Sequence, residues 1–177
     1  WGWGHILPAF FDPAKITVEN DAVGGTSSRS FMEAPNMWPK VLAKLQPGDF
    51  VIMQFGTNDD TRPPESDDFR YRSTIKGNGD ETVEGPASPG KKETVHSYGW
   101  YMRQYIAQTK AKGATPILCS LVPRKIWVDG HIHRNTTTYR GWTQQVAQHE
   151  HVHFVDLNET IARRDDPLGP DGVDPLF

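Results

Sequence analysis

The chain has 177 residues, a net charge of −3, 36% hydrophobic and 23% charged residues. That length and balance suit one globular domain with a sizeable core and exclude a disordered chain. No basic stripe marks a nucleic-acid surface, and no apolar run reaches the roughly eighteen residues of a membrane span, so neither partner is expected.

Short β-branched apolar runs occur in order at residues 16–18, 50–55, 115–122 and 152–157. The second follows the turn signal Pro47-Gly48-Asp49. Runs of this length suit buried parallel strands. Between them lie segments of helical period. Met37, Val41, Leu42 and Leu45 share one face, as do Tyr98, Tyr101, Met102, Tyr105 and Ile106. Gly113 stands where a glycine ends the second of these helices. A third helix is expected to start near Thr138 and to include Trp142 and Val146. Strands alternating with helices predict an α/β fold with a parallel sheet. Residues 56–92 read as a long loop with little periodicity, directly after a strand end, where open α/β sheets place ligands. Asp129-Gly130 signals a hairpin within residues 124–137.

Two segments carry chemistry. Asn20-Asp21-Ala22-Val23-Gly24-Gly25-Thr26-Ser27-Ser28-Arg29-Ser30 joins the first apolar run to a helix-like stretch, and its paired glycines allow a tight turn with close backbone approach to a ligand. Gly56-Thr57-Asn58-Asp59 follows the second run and can aim an Asn amide into a cleft at the sheet edge. Each is weak alone, because Gly, Asn and Asp are ordinary turn residues.

Together, at this spacing, the two segments resemble the SGNH (GDSL) hydrolase superfamily. Gly2-Trp3-Gly4, Asn20-Asp21-Ala22, Ser27-Ser28-Arg29-Ser30-Phe31 and Pro47-Gly48-Asp49 agree with its rhamnogalacturonan acetylesterase branch. The resemblance implies a flavodoxin-like three-layer α/β/α fold with strand order 2-1-3-4-5. It also implies a Ser-His-Asp ester hydrolysis without metal or organic cofactor, acting on an acetylated polysaccharide such as pectic rhamnogalacturonan. Gly25, through its N–H, and Asn58, through its side-chain amide, would be two oxyanion-hole donors. A broader esterase acting on acetylated xylan or small esters, and a non-catalytic carbohydrate-binding relic, are the alternatives.

The departures concern the attacking group. No Gly-Asp-Ser occurs, and no Asp-x-x-His occurs near the C-terminus. Both ends look cut, so the chain is expected to be an internal piece of one SGNH domain, lacking the nucleophile and the His/Asp pair and inactive alone. The absent first strand would leave two open sheet edges beside residues 16–18 and Val51. Substrate logic predicts a secreted or periplasmic location; the oligomeric state is left open.

Other reactive side chains have simpler roles. Ser27, Ser28 and Ser30 suit a helix start. Asp59 suits the ordering of a loop. His131 and His133 suit a surface hairpin, and His149 and His151 a helix end, with no closed metal-ligand set. Cys119, in an apolar run, reads as a buried inert thiol. Of the tryptophans, Trp127, in the loop after the apolar run at residues 115–122 (the fourth strand once the absent first one is counted), is the best candidate for stacking on a sugar.

Overall fold

A computed structural model describes residues 2–67 and 69–174 of the chain. The chain enters through a single helical turn, α1 (Trp3–Ile6), and the indole N–H of Trp3 donates to Gln54 Oε1 at 3.1 Å. Helices α2 (Ser28–Glu33) and α3 (Trp38–Lys44) then lead to β1 (Phe50–Met53). A hairpin of β2 (Thr82–Ser88) and β3 (Lys91–His96) precedes the longest helix, α4 (Tyr98–Ala111). Strand β4 (Thr115–Cys119) is followed by a small hairpin, β5 (Trp127–Val128) and β6 (His131–Ile132). Helix α5 (Tyr139–His149), strand β7 (His153–Val155), helix α6 (Leu157–Asp165) and the turn α7 (Gly169–Gly172) complete the order.

The main sheet is parallel, with order β1-β4-β7. Phe50 stands beside Thr115 and Met53 beside Leu118 across one ladder; Ile117 stands beside His153 across the other. Parallel neighbours need a crossover, and α4 and α5 supply the helices of the two crossovers. The α/β architecture expected from alternating strands and helices is therefore present.

The core forms where α4 crosses the sheet. Tyr98, Tyr101, Met102, Tyr105 and Ile106 are all fully buried, as is Leu118 of the central strand. Ser97 caps α4 by accepting from the Trp100 N–H, and Gly113 follows its last turn. Aromatic rings dominate the contact with the sheet. Phe55 stacks on Tyr105 at 5.1 Å, and Trp38 meets the same Tyr105 edge-on at 4.8 Å. Buried phenols need partners: Tyr105 donates to Ser28 O at 2.7 Å and Tyr98 to Phe55 O at 3.2 Å.

Two sequence expectations change. Residues 16–18 form no strand; Ile16 is 47% exposed, and no described strand lies alongside to complete a ladder. β1 is an edge strand among the described residues, and its Phe50 and Ile52 are 68% and 40% exposed. The long polar segment 56–92 is also not all loop. Its end pairs with the residues that follow, from Thr82 opposite His96 to Ser88 opposite Lys91, with a register shift between Pro86 and Ser88. Only Val95 and Gly85 on these strands are buried, so the pairing leaves almost no apolar alternation to read.

The contrast between the central strand and its open neighbour is measurable. Leu118→Ala should cost about 2–5 kcal/mol of unfolding free energy in urea, as a buried large-to-small change does. Ile52→Ala should cost markedly less, because half-exposed Ile52 leaves no closed cavity.

Candidate active site

The candidate site lies beyond the C-terminal end of β1, where open parallel sheets place ligands. Its first wall is the glycine turn. Gly25 has φ +84°, a left-handed conformation strained for any other residue type. The turn is closed by Thr26 Oγ1 donating to Val23 O at 2.7 Å. Ser27 then caps α2 through a reciprocal pair: the Ser30 N–H donates to Ser27 Oγ at 3.1 Å and the Ser27 N–H to Ser30 Oγ at 2.9 Å. These two serines serve the helix start, as their sequence position suggests.

The second wall is the turn after β1. Gly56 has φ +126°, and a Cβ there would stand 2.9 Å from the Cβ of Tyr139, so both backbone and packing demand glycine. Two residues on, the Asn58 amide donates to Thr26 O at 2.8 Å. The fold thus brings together Gly25 and Asn58, the two residues singled out in the sequence, through the residue next to the glycine. An Asn amide has two N–H donors. One holds the glycine turn, and among the described residues no acceptor is recorded for the other.

Asp59 locks this arrangement. Its carboxylate is fully buried and accepts the Ser28 N–H at 3.1 Å, the Ser28 hydroxyl, and the Gly56 N–H at 3.0 Å. It therefore joins the first residue of α2 to the turn that carries Asn58. Burial opposes its charge and outweighs the hydrogen bonds from Ser28 and Gly56 and the nearby Arg72, so its pKa is pushed up to about 7. Its assignment to loop ordering agrees with these contacts.

Arg72 carries no local sequence signal for its role. Its guanidinium donates from Nη1 to Gly25 O at 2.8 Å, bridging 47 positions of chain. Its own backbone N–H, and that of Ser73, donate to the buried Asp67 at 2.7 and 2.8 Å. Arg29 is also more than part of a motif. It is fully buried, and it donates to Glu93 Oε1 at 2.6 Å, Ser73 O at 3.0 Å and Pro86 O at 2.5 Å, so α2 holds the β2–β3 hairpin. No local pattern announces contacts of such sequence separation.

The remaining candidates stand apart. Trp127 is on the β5–β6 hairpin opposite Ile132, half-buried, with its indole N–H buried and without a partner. That hairpin is tied to the end of α6, where Asp166 accepts the Ile132 N–H at 2.8 Å and Arg134 Nη2 at 2.6 Å. His131 Nδ1 lies 3.3 Å from the same Asp166, and His149, in the last turn of α5, lies 3.0 Å from Glu150. Among the described residues, no three His, Cys, Asp or Glu side chains converge as a metal site.

The profile of the GDSL-like lipase/acylhydrolase family matches residues 1–176. The chain is 28% identical over 176 residues to a rhamnogalacturonan acetylesterase of Emericella nidulans, covering 99% of this chain and 69% of that protein. It is 31% identical over 159 residues to the probable rhamnogalacturonan acetylesterase YesY of Bacillus subtilis, covering 89% and 61%. The crystal structure of YxiM from Bacillus subtilis superposes with a TM-score of 0.75 at 26% identity, covering 99% of this chain and 42% of that one. The chain thus spans well under the full length of each of these relatives.

The raised pKa of Asp59 fixes the sign of a pH effect. Below about 4 the carboxyl is protonated in both folded and unfolded chains. Between there and about 7 the unfolded chain ionises first, so this residue's contribution to stability falls as pH rises and is constant above. The stability of the protein relative to its Asp59→Asn variant should therefore decline between pH 4.5 and 8. Each unit of displacement corresponds to about 1.4 kcal/mol. Urea titrations of both proteins across that range provide the check; a flat difference would mean that Asp59 is ionised throughout.

Proposed function

The chain belongs to the GDSL-like lipase/acylhydrolase family, and from that premise we propose that it supplies the oxyanion-stabilising part of a carbohydrate O-acetylesterase. The observation that carries the reading is the Asn58–Thr26 hydrogen bond at 2.8 Å, which sets the Asn58 amide against the Gly25 turn. Ester hydrolysis passes through a tetrahedral intermediate with a negatively charged oxygen. Donors held in place before the reaction stabilise that charge without reorganising, each by about 2.7–4 kcal/mol. In this proposal the Gly25 N–H and the free N–H of Asn58 are two of those donors. The Thr26 carbonyl fixes the rotamer of the amide, and Asp59 fixes the backbone that carries it.

The substrate class follows the names of the relatives. Two that match most of this chain are named rhamnogalacturonan acetylesterases, which supports an acetylated pectic polysaccharide. Substrate logic alone, that such polymers are degraded outside the cytoplasm, argues for a secreted or periplasmic enzyme. A broader esterase is favoured by one observation, a 27% identity over 172 residues to the uncharacterized esterase YxiM. Acetate release from acetylated pectin, acetylated xylan and small acetate esters separates the two substrate readings.

The attacking serine and its His/Asp partners have no matching motif within residues 1–177, so on this reading those residues alone release no acetate. In the intact enzyme, Asn58→Ala should lower turnover by roughly 10²–10³ with a near-native melting temperature. An unchanged rate removes Asn58 from the hole. A rate lost together with the fold assigns the Thr26 contact a structural role only.

A further inference from the structure

The glycine turn is held by hydrogen bonds and not by packing. Val23, Gly24 and Gly25 are all exposed. Among the described residues, and chain neighbours aside, a Cβ on Gly24 would meet no heavy atom within 4 Å, and one on Gly25 would meet a single atom, Arg72 Nη1, at 4.0 Å. Two adjacent glycines have the widest backbone freedom and lose the most conformational entropy when ordered. An oxyanion donor must not reorganise as charge develops. Whatever fixes this turn therefore has to reach it from elsewhere in the chain.

Three carbonyls of the turn carry such ties. Val23 O accepts the Thr26 hydroxyl, Thr26 O accepts the Asn58 amide, and Gly25 O accepts Arg72 Nη1. The first tie is local; the other two return to one place. Arg72 stands on a fixed base, since its own N–H and that of Ser73 go to buried Asp67, and Ser73 O accepts Nη1 of buried Arg29 at 3.0 Å. One residue further, the Thr74 N–H donates to Asp59 O at 3.0 Å. Asp59 directly follows Asn58. The path from Gly25 through Arg72, Thr74, Asp59, Asn58 and Thr26 back to Gly25 is thus a closed ring, and it contains both Gly25 and Asn58. The guanidinium keeps its proton at every pH at which a protein folds, so its bond to Gly25 O is a permanent charge-assisted one. The same cation also favours the ionised form of Asp59 against the effect of burial.

We propose that Arg72 is a positioning residue for the oxyanion hole, holding the Gly25 carbonyl so that the Gly25 N–H keeps its direction. The use of that N–H rests on the acetylesterase reading; the ordering of the turn by Arg72 does not.

Two variants and two measurements test it on the intact protein. Arg72→Met keeps the length of the stem and removes the donor, whereas Arg72→Lys keeps one charged donor. Nitrogen-15 relaxation should give the Gly24 and Gly25 N–H groups order parameters near the roughly 0.85 of rigid backbone, falling below about 0.6 in Arg72→Met and partly recovering in Arg72→Lys, with α4 unchanged in all three. The kcat for acetate release should fall roughly 10- to 100-fold in Arg72→Met at unchanged KM, because a misdirected donor is missed only in the transition state, and Arg72→Lys should regain part of it. A turn that stays ordered in Arg72→Met overturns the proposal, as does a disordered turn with unchanged turnover. A raised KM at unchanged kcat also overturns it, making Arg72 a substrate contact, and disorder that extends to α4 makes it a general support of the fold. A parent protein that releases no acetate sinks the acetylesterase reading, and the order parameters still decide whether Arg72 holds the turn.

Discussion

A single buried carboxylate organises the region of interest. Asp59 reaches from the turn after β1 to the first residue of α2, and its oxygens take up N–H groups from both sides. The glycine turn lies just before α2 and Asn58 just before Asp59, so both stand within a few residues of this contact. Its position at the head of α2 also satisfies a helix N-terminal N–H that has no partner inside the helix. The cost is desolvation, visible in a carboxyl whose ionisation is pushed up to about 7. A polar group buried this deeply is tolerated because every contact it makes is a donor.

Around that point the molecule uses long side chains as struts. Arg29 passes under α2 to the β2–β3 hairpin and to Ser73. Arg72 returns from the neighbouring loop to Gly25. Tyr105 rises from α4 to the carbonyl of Ser28. Each strut ends on a backbone carbonyl of a different segment, so loops with little apolar surface are held to the sheet by hydrogen bonds. The rigid layer below, α4 packed on β1 and β4, gives these struts a fixed base. That division suits a hydrolase of this family, in which a packed scaffold carries a site made of loops.

What could be read in the sequence tracks the range of the interaction responsible. The runs of β1, β4 and β7, the faces of α4 and α5, and the hairpin at Asp129-Gly130 follow from local period and turn chemistry, and all appear. Gly25 and Asn58 were identifiable because each lies in a short motif, and the fold sets those motifs against one another. The failures are non-local. A β-branched run at residues 16–18 is no strand without a neighbour to pair with. The β2–β3 hairpin is nearly all polar, its partner on the protein side being buried Arg29 and not an apolar layer. Arg72 looks like any loop arginine until the chain folds back by 47 positions. Trp127 stands on the β5–β6 hairpin, apart from the Gly25 and Asn58 turns, a separation that no local pattern announces.

Cys119 closes the central strand, 3% exposed, with burial pushing its thiol up to about 11. A thiol reacts as its thiolate, so in the folded chain this sulfur is both shielded and chemically silent. Cys119 pairs with Val155 of β7 at the end of a strand flanked by β1 and β7, and access demands that β4 part from the layer packed on it. The protein therefore contains an intrinsic clock for its own opening. The rate at which Cys119 accepts an alkylating reagent reports how often the middle of the sheet comes apart, with no label introduced anywhere else in the molecule.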